Sequence, residues 1–151
     1  MARFRYTLQS ILDIKLKLET QAKQRFAAAL GALSEEENRL AALRERRDLY
    51  EERARQLLSG NLDVLEIEEN KTAILVIDNY IAEQIKRVEL ARKRMEQARQ
   101  AMAEAMMERK TYETLREQAF ENFLQEENRE EGKAVDELVS YTYGQKRQVK
   151  E

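Results

Sequence analysis

The chain contains no cysteine, proline, histidine or tryptophan, and only four glycines in 151 residues. Each absence excludes something. Without cysteine there is no disulfide framework and no thiolate site, a usage that leans towards a reducing compartment. Without histidine or cysteine there is neither an imidazole base nor a thiol nucleophile. No glycine-rich run has the form of a phosphate-cradling loop, and no acidic spacing around a glycine has the form of a calcium loop. Carboxylates are plentiful, but on the exposed faces of long helices they have no water-excluding pocket to work in. No catalytic constellation, metal site or cofactor is expected, and the chain reads as a non-enzyme. Long apolar runs are missing too: nothing approaches the roughly 18 to 20 apolar residues that span a bilayer. The opening "MARFRY" carries positive charge with no apolar stretch behind it, so it does not read as a signal peptide. A soluble chain is expected.

What remains is helix-forming material. Alanine, leucine, glutamate, lysine, arginine and glutamine predominate, and their straight or small side chains lose little rotamer freedom in a helix. Aromatics are only 7% and charged residues 37%, which argues for long helices or a coiled coil over a thick globular core. The net charge of −2 supplies no overall attraction for nucleic acid. Local signs differ: the first segment is basic (Arg3, Arg5, Lys15, Lys17, Lys23, Arg25), Glu126 to Glu137 is mostly acidic, and Lys146, Arg147 and Lys150 are basic again.

Apolar residues at steps of three and four define a first seam: Phe4, Leu8, Ile11, Leu18, Ala22, Phe26, Ala29, Leu33, Leu40, Leu43, Tyr50, Ala54 and Leu57. An extra step around Ala22 to Phe26 reads as a stutter, and Lys15, Glu36 and Arg47 are polar interruptions. The pattern breaks at "LLSGNLDVLE", where Ser59, Gly60 and Asn61 cluster and Gly60 has the position of a C-cap. Asp63 followed by Glu66 has the spacing of a capping box. A second seam then runs through Ile67, Ile74, Ile77, Ile81, Val88, Ala91, Met95, Ala98, Met102, Ala105, Tyr112, Ala119 and Phe123, interrupted by Gln84, Arg109 and Arg116. Two amphipathic helices joined by a short turn become antiparallel neighbours. The expected fold is all-α: a long two-helix antiparallel coiled coil with helix 1 over about 3–58, a turn at 59–62 and helix 2 over about 63–140. These form a single domain, 1–143, with a disordered tail at 144–151. Exposed pairs such as Glu35–Arg39, Glu83–Arg87 and Glu89–Lys93 have the spacing of helix-stabilising ion pairs.

Folding the chain about residue 60 sets Phe4 opposite roughly residue 118, and at about 1.5 Å per residue the paired length is on the order of 80 Å. The stretch "ENFLQEENREEGKAVDELV" then overhangs without an intramolecular partner. It reads either as a frayed, solvated tail or as a segment ordered on a partner protein. Gln84, Arg109 and Arg116 read either as register-setting groups or as a loosely packed seam, the second favoured for the arginines because their ends reach water. Met95 and Met102 read as seam residues, and Met106 and Met107 as exposed. Tyr50 and Tyr80 have the character of interface tyrosines, although Tyr50 suits the seam equally. The amphipathic "FRYTLQSILDIKLKLE" has some features of a membrane-surface helix, but its apolar face is needed for pairing.

The order and spacing of "FRYTLQSILDIKLKLE", "YIAEQ" from Tyr80, "ERKTYETLREQ" from Glu108 and "EENREEGKAVDELV" from Glu126 together resemble the FliJ family. These are small coiled-coil components of the bacterial flagellar type III protein export apparatus, and the likeness runs from Arg3 to Val139. The resemblance implies an antiparallel coiled coil similar to the central stalk of rotary ATPases. It implies three partners: the hexameric flagellar export ATPase, the cytoplasmic domain of the membrane export gate, and export chaperones. It also implies a cytoplasmic location, peripheral at the inner membrane, with no direct membrane insertion. Carried over by position, the ATPase-facing end is Phe4, Leu8 and Ile11 with Phe120, Phe123, Glu127, Asn128, Arg129, Lys133, Asp136 and Glu137. The gate-facing surface is Leu40, Leu43, Tyr50, Ile74 and Ile81. The sequence departs from the pattern at Arg46 and Arg47, where the resemblance calls for a further aromatic.

A hairpin satisfied by its own two helices is expected to be monomeric when free. The same physics suits the stalk protein of a virulence-type secretion system or a structural, self-associating spacer, and the spacer would show concentration-dependent melting. A nucleic-acid clamp on Arg92, Lys93, Arg94 and Arg99 is disfavoured by net acidity and interleaved glutamates.

Overall fold

A computed structural model describes residues 3–150, with side chains from residue 3 to residue 147. Two helices make up the fold: α1, Gln9–Leu58, and α2, Val64–Lys150. They pack against each other as an antiparallel hairpin with the second helix the longer, and the described residues contain no strand. The turn is built as its residues dictate. The Ser59 amide and hydroxyl both donate to the Gln56 carbonyl, at 3.2 and 2.9 Å, and satisfy an end of α1. Gly60 follows at φ 102°, a backbone conformation that a Cβ would strain. Asp63 then caps α2: its carboxylate accepts the Leu65 and Glu66 amides at 3.1 and 3.4 Å, and its carbonyl accepts the Ile67 amide at 3.1 Å. The Glu66 carboxylate lies 3.6 Å from the Arg53 guanidinium, across the turn.

The helix boundaries differ from the sequence reading at both ends. α1 begins at Gln9 and not near residue 3. The Leu8 carbonyl accepts the first helical bond, from Leu12 at 3.0 Å, and Tyr6 accepts the Gln9 amide at 3.1 Å. Phe4 and Tyr6 are held by tertiary contacts instead: the Tyr6 hydroxyl donates to the Tyr112 carbonyl of α2 at 3.1 Å, and the Phe4 ring meets Phe120. At the other end α2 does not stop near residue 140. It continues through Gly144 to Lys150, over most of the stretch read as a disordered tail, and residue 151 lies outside the described residues.

Packing falls into two compact units, Thr20–Glu104 and Met1–Glu19 with Ala105–Glu151. In the first, Leu33, Val88 and Ala91 form the buried cluster, flanked by Leu40 and Met95. Gln84 is buried beside it and donates to both the backbone carbonyl and the carboxylate of Glu36, at 3.0 and 2.5 Å. Asn70 donates to the Tyr50 carbonyl at 3.2 Å. In the second unit Leu12 is the buried leucine, and Glu19 is buried with it at 5% exposure. Arg109 grips Glu19 with two nitrogens, at 2.6 and 3.3 Å, and reaches Glu113 at 2.8 Å. Its guanidinium pKa is raised by the hydrogen bonds to Glu19 and Glu113, so the cation persists. Among the described residues no buried side-chain nitrogen or oxygen lacks a partner.

These pairs correct the seam of α1. Leu18 is 43% exposed, whereas Glu19 is buried. Placing Glu19 in the seam turns Leu12, Lys15, Glu19, Ala22, Phe26 into an unbroken alternation of four and three, and the stutter disappears. A carboxylate is a poor guess for a seam position, yet a bidentate arginine makes it tolerable. Arg109 is therefore a register-setting contact and not a sign of loose packing. On the surface, Arg39 pairs with Glu36 and Lys86 with Glu83, each at i,i+3, where the sequence suggested Glu35 and Arg87. Met95 and Met102 are half-buried as read, Met107 is exposed, and Met106 is half-buried where exposure was expected.

Candidate partner-binding surfaces

The end of the hairpin that holds the N-terminus is closed by an aromatic clasp. The Phe4 ring meets Phe120 edge-on, with centroids 5.1 Å apart and planes at 73°, and lies 5.5 Å from Phe123. Phe120 and Phe123 are 6.5 Å apart on successive faces of α2. Rings at these separations attract through edge and face as well as by burial. Lys15 braces the same unit, 2.8 Å from Glu108 and 5.9 Å above the Tyr112 ring. Its pKa is raised, first by the hydrogen bond to Glu108. Arg116 donates to Gln9 at 3.0 Å.

Of the residues assigned to this surface, Phe4, Phe120 and Phe123 are thus brought together, Phe4 and Phe123 half-buried and Phe120 exposed, and Leu8 and Ile11 are half-buried. Glu127 is half-buried. Asn128, Arg129, Lys133, Asp136 and Glu137 are fully on the surface, as is every described side chain from Asn128 to Arg147. The reason pairing stops near Phe123 is in the sequence. Steps of three and four from Phe123 land on Glu126 or Glu127, Glu130, Lys133 and Glu137, charged side chains that are rarely buried without a partner.

The turn-proximal candidates sit differently. Leu40, Leu43, Tyr50, Ile74 and Ile81 are all half-buried along the helix–helix seam, and Leu40 packs on the Leu33 cluster. They hold the hairpin together before they offer surface to a partner. The exposed apolar groups nearby are Leu49, Leu75, Val76 and Tyr80. Tyr80 and Val76, with Tyr50, Ala73, Ile77 and Arg46, line a shallow groove of about 320 Å³. Leu75 and Val76 were missed because they stand just outside the seam positions, and period alone marks such residues as outward. Arg47, at a position where the resemblance calls for an aromatic, donates to Asp78 at 2.5 Å and to Glu51. These hydrogen bonds raise its pKa, that to Asp78 first, and the bond to Asp78 ties α1 to α2 where an aromatic would have packed. Within the basic stretch, Arg99 is engaged by Glu96 at 2.5 and 2.8 Å. No helix of the described residues is long and apolar enough to cross a membrane.

The fold defines a class: an all-α antiparallel helical hairpin whose second helix is the longer, with exposed side chains along the last part of that helix. The model of the flagellar FliJ protein family matches residues 4–148, and the chain belongs to that family. A Flagellar FliJ protein from Bacillus subtilis (strain 168) is 22% identical over 135 residues, covering 89% of this chain and 92% of its own. Among solved structures, a putative YscO homolog from Chlamydia trachomatis aligns with a TM-score of 0.64 at 22% identity. That alignment covers 97% of this chain and 99% of the other, and it shows a shared fold.

Proposed function

We propose that this chain is a non-enzymatic, stalk-like component of the flagellar type III protein export apparatus. Its paired termini and the extension of α2 bind the hexameric export ATPase and promote assembly and turnover of the ring. The turn-proximal half contacts the cytoplasmic domain of the export gate, and export chaperones are further partners. The protein works in the cytoplasm, peripheral at the inner membrane.

One observation carries this reading: α2 runs on as helix past the Phe4–Phe120–Phe123 clasp, with every described side chain from Asn128 onward turned to solvent. A single helix so polar gains no tertiary packing of its own, and a partner that orders it would recover that packing. Glu127, Asn128, Arg129, Lys133, Asp136 and Glu137 supply charges of both signs for a complementary surface. At the other end, Val76, Tyr80 and Tyr50, with Arg46, Glu69 and Thr72, give the gate contact a shallow groove of mixed polar and apolar lining, and Leu40, Leu43, Ile74 and Ile81 are half-buried.

The test measures turnover and sedimentation of the export ATPase from the same organism with and without this chain. Faster hydrolysis together with a ring-sized complex supports the reading. Deleting residues from Glu126 onward is expected to abolish both effects while the hairpin's helical circular dichroism and melting survive. Full activity of the truncated chain would refute the assignment of the extension.

A further inference from the structure

The extension of α2 carries an apolar stripe that does not belong to the hairpin. The seam facing α1 would continue at Glu126, Glu130, Lys133 and Glu137. The stripe instead follows Leu124, Asn128, Glu131, Val135, Leu138 and Thr142, with Val139 and Lys146 beside it, rotated by about 150° from the seam. Val135, Leu138 and Val139 are all exposed. The Thr142 hydroxyl donates to the Leu138 carbonyl of its own helix at 2.8 Å, so the group's hydrogen bonding is met internally and its methyl is free to pack. Such a stripe, out of phase with the seam that faces α1, is built for a different surface.

We propose that this surface is the same stripe on a second copy of the chain, paired antiparallel about a two-fold axis between Leu138 and Val139. In that register Leu138 faces Val139 of the second copy, Val135 faces Thr142, and Glu131 faces Lys146. Each match occurs twice, as an isologous contact requires. Charge selects the direction. A parallel pairing would set Glu131 against Glu131 and Lys146 against Lys146, whereas the antiparallel one sets each acid against a base. The apolar patch is far below the roughly 1,200 Å² of a stable interface, so the contact is weak. A dissociation constant on the order of 0.1 mM is expected, and the free chain is monomeric at micromolar concentration. This self-pairing does not depend on the ATPase being the extension's other partner.

The experiment is sedimentation equilibrium of the full chain from about 10 μM to about 1 mM, a range that brackets the expected constant. Glu131→Lys and Lys146→Glu should each weaken association about tenfold, the effect of turning two exposed attractions into repulsions. Both positions are exposed, so unchanged helical circular dichroism accompanies the loss. An equimolar mixture of the two variants should associate as heterodimers, and the double variant should regain self-association. A chain that stays monomeric throughout would overturn the proposal. So would association indifferent to either reversal, or single variants that fail to rescue each other when mixed.

Discussion

Leu33 and Leu49 are leucines on the same helix and in the same compact unit, and truncating each to alanine should separate core from surface. Leu33 is 9% exposed within the Leu33–Val88–Ala91 cluster, whereas Leu49 is 71% exposed. Leucine to alanine removes three carbons, worth about 2.4 kcal/mol of transfer free energy at full burial. Scaled by burial, Leu33→Ala should cost about 2 kcal/mol and Leu49→Ala about 0.7 kcal/mol or less. The cavity contribution is small because a two-helix interface is open at its sides and Leu40 and Met95 can close on the gap, so the cost falls at the low end for leucine truncations. For a chain of this size the core variant should melt roughly 4–8 °C lower and the surface variant no more than about 3 °C lower. The assay is thermal and urea unfolding followed by helical circular dichroism, with the urea slope unchanged if the native state is intact. Equal losses at the two positions would refute the assignment of the cluster as the core and with it the phase of the α1 seam.

Gly60→Ala should lower stability by about 1–3 kcal/mol in the same unfolding assay, because φ of 102° is strained for any residue with a Cβ although space is open around it. The Lys15 pKa is raised above its ordinary value of 10.5, chiefly by the Glu108 hydrogen bond. A group raised on folding binds its proton more tightly in the native state, so its contribution is complete below the ordinary value and lost as pH climbs through the raised one. The stability difference between the native chain and Lys15→Met should therefore hold steady below the ordinary lysine value and shrink as pH climbs above it.

The hairpin has little core to spend on precision. Its buried apolar groups line one helix–helix contact, and none is sealed on every side. Uniqueness of register then falls to the polar pairs: Arg109 with Glu19, Gln84 with Glu36, Asn70 with the Tyr50 carbonyl, and Arg47 with Asp78. Each position accepts only one partner without stranding a polar group in a half-buried seam, so a slip along the helix loses several at once.

The α2 seam from Ile67 to Phe123, the turn at Ser59–Asn61 and the Asp63 cap were all legible from the sequence, because periodicity, glycine and capping chemistry act within a few residues of one another. A count about the turn put the end of pairing near Phe120, a few residues early, because the Phe4 ring also reaches Phe123. What tertiary structure alone decided lies where distant groups choose between near-equivalent options. Glu19 and Leu18 are neighbours, and hydropathy prefers the leucine; only Arg109, brought across by the fold, makes the buried carboxylate acceptable. The start of α1 at Gln9 was set in the same way, because the Tyr6 hydroxyl and the Phe4 ring found partners on α2 that outweigh another helical turn. Local sequence specifies which residues are helical and which face is apolar. Long polar side chains can reach several partners, so their pairing is settled only when two surfaces meet.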